Sequence, residues 1–266
     1  MKIRFNYYKN AKKKALTVSY DDGRSFDARL AHLFDLHGIR GTFHLNGGKL
    51  DCEHYLSRDE VATVLARHEV SCHSLTHPFL ERVSNMEVTH EILEDKRILE
   101  GVCGYPVRGM SYPYGTYSDK LIAQLRVLGM RYSRTTKATE KFVIPEDFME
   151  WHPTCHHNSP KLFELLEKFK EYKYPMPLFY VWGHSYEFDR DNNWELIEKF
   201  CREAGGDDDV WYATNIEIYD YVTALRALEF STDRTMVYNP AATDVWIAVD
   251  DAPVMIAAGA TVHLGT

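Results

Sequence analysis

Carboxylate and imidazole side chains stand where apolar segments of the sequence end. Asp21 and Asp22 follow the segment ALTVSY, and His73 and His77 belong to the motif HSLTH at the end of EVSCHS. Histidines four residues apart lie on one face of a helical turn and can chelate a divalent ion. Pro78 disfavours helical backbone at the residue before it, so we expect any such turn to end near His77.

Two histidines with one carboxylate form a ligand set that leaves positions open on a metal for water and substrate. Either Asp21 or Asp22 could complete this set, and its neighbour would then lie free beside the metal. A metal ion lowers the pKa of bound water toward neutrality, and a free carboxylate next to it can act as general base. The pattern therefore indicates metal-assisted hydrolysis. Taken alone, the letters DDG favour a solvated turn before a helix, because Asp and Gly are ordinary turn residues.

Two later segments place more polar groups at strand ends. SYPYG covers residues 111–115, and WGH covers residues 182–184 at the end of the apolar segment PLFYVWGH. In parallel β/α folds the carboxyl ends of the strands lie on one rim, where ligands and catalytic groups gather. We therefore expect these two segments to converge with the aspartates and histidines on one site.

The elements that must position these groups are repeated strand-helix units. From residue 15 onward, short apolar segments alternate with segments of helical periodicity, which is typical of a parallel sheet or barrel with covering helices. About seven such units favour an α/β fold of the distorted (β/α) barrel type over an open sheet. The final residues change to short apolar segments separated by turns, so we expect a main domain over 1–230 and a small β appendage over 231–266.

Local signals predict several boundaries. GTFHL (41–45) is expected to be a strand, and SRDE (57–60) and SNME (84–87) have the form of helix capping boxes. Residues 136–158 show no regular pattern. The last helix of the main domain is expected to run through Glu229.

The composition limits the classes of partner. A formal net charge of −8 argues against nucleic acid, because phosphate binding depends on clustered Lys and Arg. Five widely spaced cysteines without a C-x-x-C motif predict free thiols and no zinc knuckle. The sequence begins without an apolar leader segment and has no stretch of about 18 apolar residues, so we expect no membrane insertion and a cytoplasmic location. Nothing in the sequence indicates an oligomeric state.

Taken in order, SYDDG, HSLTH, SYPYG and WGH resemble the motifs of the NodB-homology polysaccharide deacetylases, the carbohydrate esterases of family four. The resemblance runs from about residue 15 to about residue 225. It implies a metal-dependent hydrolase that removes N-acetyl or O-acetyl groups from an acetylated carbohydrate. It also implies that Asp22, His73 and His77 bind the metal, with Zn²⁺ as the first expectation and Co²⁺, Ni²⁺ or Mn²⁺ as alternatives.

The same resemblance implies catalytic roles for three further residues. Asp21 is the expected base, and His184 is the expected acid that protonates the departing amine or alcohol. The backbone amide of Tyr114 is expected to help hold the oxyanion. Together with a metal, these groups supply the activated water, the oxyanion stabiliser and the proton donor that acyl hydrolysis requires.

Several other ring-bearing residues are candidates for a sugar cleft, although ordinary packing explains each of them at least as well. They are Tyr112, Trp182, Trp194 and His44. The cluster HPTCHH (152–157) could form a second metal site or a substrate-contacting loop. A polar loop with incidental histidines is the simpler interpretation.

One departure from the family pattern concerns the base. The third family motif usually begins with an arginine that pairs with the base aspartate, whereas Ser111 stands at this position. Arg108 is nearby, but three residues along a strand place it on the opposite face. The sequence therefore leaves the partner of Asp21 unassigned.

A second departure concerns the carboxylate that orients the acid histidine. DFMEW (147–151) resembles the fourth family motif but comes about 20 residues too late, and SRTT (133–136) stands at the expected place without a carboxylate. Glu187 or Asp189, just after His184, could serve instead.

These departures keep two alternatives open. The chain could be a non-catalytic carbohydrate-binding protein on the same fold, which would bind sugars without releasing acetate. It could also be a metal hydrolase of another small amide or ester. A panel of acetylated glycans and small acylated metabolites distinguishes the three hypotheses.

Overall fold

The computed structural model describes residues 1–265, which contain fourteen strands and eight α-helices. The strands are β1 (Ile3–Arg4), β2 (Lys14–Asp21), β3 (Gly41–Leu45), β4 (Glu69–Cys72), β5 (Gly109–Ser111), β6 (Tyr132–Arg134), β7 (Cys155–His156), β8 (Leu178–Gly183), β9 (Val210–Tyr212), β10 (Glu229–Phe230), β11 (Met236–Tyr238), β12 (Val245–Val249), β13 (Ala252–Ile256) and β14 (Thr261–His263). The helices are α1 (Asp27–Leu36), α2 (Arg58–Val64), α3 (Asn85–Cys103), α4 (Asp119–Val127), α5 (Leu162–Glu171), α6 (Tyr186–Arg190), α7 (Trp194–Ala204) and α8 (Asn215–Arg226).

The main sheet is parallel, with strand order β6-β5-β4-β3-β2-β8-β7, and β9 pairs with the start of β2. Every residue of β2 and β8 is buried, because helices cover one face and the barrel interior covers the other. The prediction of a distorted (β/α) barrel is confirmed. This arrangement brings the carboxyl ends of β2, β4, β5 and β8 to one rim.

The segment 151–157 joins the two edges of this sheet. At one edge, the amide of Trp151 donates to the carbonyl of Ser133 at 3.1 Å, and the amide of Thr135 donates to the carbonyl of Trp151 at 3.0 Å. At the other edge, the same segment continues into β7, which pairs with β8. A stretch that showed no regular sequence pattern therefore closes the curved sheet and passes beside the rim.

Helix boundaries follow the capping signals closely. Ser57 and Glu60 form a complete capping box at the start of α2, while at α3 only the serine half forms, with Ser84 accepting from the amide of Glu87. The helix α8 ends at Arg226, before the predicted end at Glu229. It ends there because the chain turns to pair β10 with β11.

The C-terminal residues form two small antiparallel sheets. One has the strand order β1-β12-β13 and the other β10-β11-β14, so the expected short strands of this region are joined by β1 from the N-terminus and by β10. Val237, Val245 and Ile247 pack with Tyr221 and Val222 of α8 in one buried cluster. The division into domains over 1–230 and 231–266 stays a prediction.

Two further observations bear on the sequence expectations. All five cysteines lie in the described part of the chain and are free. Among residues 1–265, each helix is too short or too polar to cross a bilayer.

Candidate active site

A cavity of about 280 Å³ opens at the carboxyl-terminal rim of the main sheet. Eight residues that the sequence singled out line it: Asp21, Asp22, His73, His77, Tyr112, Tyr114, Trp182 and His184. They come from the ends of β2, β4, β5 and β8 and from the loops that follow these strands. The expected convergence of polar groups on one rim is therefore present.

The two adjacent aspartates reach the same cavity because the backbone changes conformation between them. Successive side chains of a strand point to opposite faces. Asp21 is the last residue of β2, and Asp22 has a left-handed backbone with φ of 81°. Aspartate tolerates this region better than most residues other than glycine. The turn is therefore more than a solvated connection, since it aims both carboxylates at one space.

The two histidines of HSLTH meet through an irregular bend and not through the expected helical turn. Ser74 and His77 have left-handed backbones, with φ of 63° and 68°. The rings of His73 and His77 lie 4.7 Å apart. Helical periodicity is therefore the wrong explanation for their proximity, although the two imidazoles do converge.

Asp22, His73 and His77 present three ligand atoms to one point. The Nε2 atoms of His73 and His77 lie 3.6 and 3.7 Å from Oδ1 of Asp22. Nitrogen and oxygen ligands of one tetrahedral ion lie roughly 3.3–3.6 Å apart, given metal–ligand distances of about 2.0–2.2 Å. Burial lowers the pKa of both histidines, that of His77 to about 4, so both are in the neutral form that binds metals. The donor set fits a divalent ion.

The backbone and ring of His73 are held by surrounding groups. Its Nδ1 lies 2.7 Å from Oγ of Ser111 and 3.0 Å from the Ser111 carbonyl, so a proton on Nδ1 leaves Nε2 free as a ligand. Its amide donates to Asp95 at 3.1 Å. Thr76 donates twice to Glu91 of α3. These bonds tie the histidine loop to α3 and fix the ligand direction.

Asp21 is held by a cation that the sequence analysis did not identify. Nη2 of Arg134 donates to Oδ2 of Asp21, and Oγ of Ser111 donates to Oδ1 at 3.2 Å. Arg134 is fully buried, and its guanidinium lies 4.1 Å from the ring centre of Trp182. Burial alone would raise the pKa of Asp21, but the positive charge of Arg134 outweighs it and holds the pKa well below its usual range. Asp21 is therefore ionised and oriented.

The position of Arg134 explains the serine at the start of SYPYG. Ser111 of β5 and Arg134 of β6 are register partners on adjacent parallel strands. The guanidinium therefore reaches Asp21 from one strand further along the sheet. A signal was available in the sequence, because a charged residue in a strand that reads as buried requires a charged partner.

His184 lies across the cavity from the aspartates and contacts a carboxylate. Its Nδ1 is 3.6 Å from Oε1 of Glu187 in α6. Burial alone would lower the pKa of His184, but Glu187, Asp21 and Asp22 outweigh it and raise the pKa. Of the two carboxylates suggested for this role, the described contacts of His184 include Glu187 and not Asp189.

Four aromatic side chains line the cavity: Tyr112, Tyr114, Trp182 and Tyr186. Tyr112 and Trp182 line its wall but are almost fully buried, and the hydroxyl of Tyr112 donates to the carbonyl of Met149 at 2.8 Å. Tyr114 is half exposed, has a left-handed backbone with φ of 59°, and stacks on Phe79 with ring centres 3.7 Å apart. Tyr114 therefore forms part of the open face of the site, together with the exposed Thr136.

Two predicted cleft residues do not reach the cavity. His44 of β3 is the register partner of Asp21 of β2 and is fully buried. Trp194 begins α7 and packs between Phe188 and Arg29. Its ring centre lies 5.2 Å from that of Phe188. Neither side chain lines the cavity, and a sugar-contacting role for either stays a prediction.

Comparisons of the sequence with known proteins match about half of the chain. Residues 8–133 match the family model described as polysaccharide deacetylase. The chain is 27% identical over 139 residues to chitin deacetylase 1 of Cryptococcus neoformans, covering 51% of this chain and 28% of that protein. It is 28% identical over 131 residues to a chitooligosaccharide deacetylase of Bradyrhizobium sp., covering 48% of this chain and 58% of that protein. The match thus spans less than two thirds of either relative.

One solved structure resembles the fold over most of its length. It is a protein of Mycobacterium smegmatis solved as a candidate polysaccharide deacetylase, with a TM-score of 0.60 and 15% identity over 82% of this chain and 93% of that chain. At this identity the similarity concerns the fold alone.

Proposed function

This chain belongs to the polysaccharide deacetylase family, and on that premise we propose that it is a metal-dependent hydrolase that removes acetyl groups from a carbohydrate. The observation that carries the proposal is the convergence of Asp22, His73 and His77 beside the ionised Asp21, with His184 across the same cavity. Water activation and leaving-group protonation require groups of these types on the two sides of an acyl substrate.

Asp22, His73 and His77 would hold the metal, with Zn²⁺ as the first candidate and Co²⁺, Ni²⁺ or Mn²⁺ as alternatives. When bound, the ion would lower the pKa of water and polarise the acetyl carbonyl. The bond from Nδ1 of His73 to Ser111 supports this assignment, because it leaves the lone pair of Nε2 directed toward Asp22.

Asp21 would take the proton of the attacking water. It can do so because Arg134 and Ser111 hold its carboxylate in one orientation and keep it ionised. The new bond forms between the water oxygen and the acetyl carbon, and the amide of Tyr114 would donate to the oxygen that gains negative charge. His184 would then give its proton to the leaving nitrogen or oxygen as the acyl bond breaks, leaving acetate and a free amine or alcohol.

The carbohydrate part of the proposal rests on the relatives and on the open face of the site. The matched relatives are named for chitin and chitooligosaccharides. Tyr114 presents a half-exposed ring at the cavity mouth, supported by Phe79 and set edge-on to His77. An aromatic face next to the reacting groups can pack against the apolar face of a sugar ring. Both N-acetyl and O-acetyl sugars are compatible with these groups.

The alternative of a non-catalytic binding protein rested on the serine at position 111 and on the unassigned carboxylate behind His184. Arg134 supplies the charge that an arginine at position 111 would give, and Glu187 brings a carboxylate to 3.6 Å from Nδ1 of His184. These two contacts favour catalysis. The alternative of another small amide or ester remains an outcome of the test below.

The test measures acetate release from N-acetylated chitooligosaccharides, O-acetylated xylan and small acylated metabolites, before and after chelation. We expect acetate from one of the two carbohydrate classes, loss of release after verified metal removal, and recovery on adding Zn²⁺. Sugar binding without acetate from any member of the panel would contradict the proposal. Release unaffected by complete metal removal would contradict its mechanism.

A further inference from the structure

A second group of metal-ligating side chains lies next to the active-site cavity. His156 and His157 stand at the end of β7, and Glu187 belongs to α6. Oε2 of Glu187 is 3.1 Å from Nε2 of His156 and 3.2 Å from Nε2 of His157. Three ligand atoms of two imidazoles and one carboxylate thus lie within 4.8 Å of one another.

Hydrogen bonding alone does not account for this cluster. His157 is fully buried, and neither of its ring nitrogens has an aligned hydrogen-bond partner among the described residues. Oε2 of Glu187 likewise lacks an aligned donor in this part of the chain, although two ring nitrogens lie close to it. A buried polar group without a partner is costly. Ligands of one ion show this geometry, because their lone pairs point to a shared centre and not to each other.

The distances between the ligand atoms fit a common ion. Separations of 3.1 and 3.2 Å are close to the roughly 3.3–3.6 Å expected for nitrogen and oxygen ligands at the tetrahedral angle around zinc. Two histidines with one glutamate are a donor set that zinc and neighbouring first-row ions accept. One coordination position would remain for water.

The surrounding residues hold His157 in this orientation. A Cβ added to Gly183 would lie 1.9 Å from Nδ1 of His157. Position 183 of β8 must therefore be glycine for the His157 ring to fit beside it. Tyr20 stacks on the ring with centres 5.6 Å apart and planes 11° apart. Phe188 packs on it with centres 4.2 Å apart. The cluster is therefore held by packing on two sides.

We propose that His156, His157 and Glu187 bind a second divalent ion of the zinc class, separate from the one expected at Asp22. This inference does not depend on the proposed function. Bound at Oε2, the ion would fix the Glu187 carboxylate, whose other oxygen faces Nδ1 of His184 at 3.6 Å. Its role is to position the carboxylate behind the candidate acid.

The experiment counts Zn²⁺ ions per chain by native mass spectrometry, after stripping and reloading the full chain. Wild type is expected to bind two ions, while His156→Ala and Glu187→Gln each bind one. His77→Ala also binds one, because it removes only the first site. The control is His152→Ala, since this histidine lies in the same segment but contacts Thr135 and not Glu187. It is expected to bind two ions. His156 is partly exposed, and circular dichroism verifies the fold of each variant.

The outcomes separate this inference from the proposed function. If wild type binds one ion, and this ion is kept in His156→Ala but lost in His77→Ala, the inference of a second site is overturned and the first site stands. One ion kept in His77→Ala and lost in His156→Ala supports the second site and contradicts the metal assignment of the proposed function. Anomalous diffraction at the zinc edge provides the same test by position.

Discussion

The buried pair of Arg134 and Asp21 gives a prediction whose size follows from its burial. Arg134 is 0% exposed and Asp21 is 2% exposed. Removing one partner of a buried ion pair leaves the other charge uncompensated and costs about 3–5 kcal/mol. We therefore expect Arg134→Met to lower the free energy of unfolding by about 3–5 kcal/mol at pH 7, measured by urea denaturation.

A double-mutant cycle isolates the pair from other effects of the substitution. Asp21→Asn alone leaves the guanidinium buried without its charged partner, whereas the double variant removes both charges. The double variant should therefore lose at least about 2 kcal/mol less than the sum of the single losses. The control is Arg108→Met, which breaks the partly exposed pair with Asp220 and should cost about 1 kcal/mol or less.

The pH dependence of this stabilisation has a definite sign. The pKa of Asp21 is depressed in the folded chain, so the contribution of the pair is present above the unfolded pKa of about 3.9 and is lost as pH falls through the folded pKa. The difference in free energy of unfolding between wild type and Arg134→Met should become smaller as the pH is lowered below about 4. The reasoning would be refuted if Arg134→Met lowered the free energy of unfolding no more than Arg108→Met does. It would also be refuted if the losses of the two single variants added up fully in the double variant.

Three other predictions use separate parts of the molecule. Burial raises the pKa of Glu69 to about 7, so its contribution to stability is present below the unfolded pKa of about 4.3 and is lost as the pH rises through 7. Urea denaturation of wild type should therefore show the free energy of unfolding fall by roughly 3 kcal/mol from pH 4 to pH 8 because of this group. Glu69→Gln should abolish that fall. In Gly109→Ala the new Cβ would lie 2.1 Å from the buried ring of Tyr132, so the free energy of unfolding should fall by about 1–3 kcal/mol. Gly101→Ala in α3 has open space around the new Cβ among the described residues and should be neutral or stabilising. Equal changes in the two variants would contradict the packing around Gly109. His184→Gln should slow acetate release from N-acetyl sugars by about 100-fold or more and from activated aryl acetates far less, because only the amine needs the proton; an equal loss on both would argue against the acid role.

The rim residues could be predicted because strand ends and motif order carry strong signals. The strand 41–45 has the bounds expected from the sequence. Asp21 and Asp22 follow their strand as expected, but the left-handed turn that aims both carboxylates at the cavity depends on a backbone angle that the letters DDG do not specify.

The missed features depend on contacts between distant segments. Arg134 and Asp21 are 113 residues apart in the sequence. Apart from the charge of Arg134 itself, a single sequence gives no signal that its partner lies on another strand of the sheet. The segment 151–157 closes the sheet through backbone bonds at both of its ends. Its sequence shows no strand periodicity, since the segment pairs through one isolated bridge at Trp151 and a two-residue ladder in β7, and not through a long ladder.

The most direct measurement compares acetate release by zinc-loaded wild type and zinc-loaded Asp21→Asn on the acetylated sugar that wild type cleaves. Asparagine keeps the size of the side chain but cannot accept the proton, so the variant should hold as much zinc at Asp22, His73 and His77 as wild type. We expect at least about 100-fold slower acetate release from this folded, zinc-loaded variant. Release at the wild-type rate would contradict this expectation.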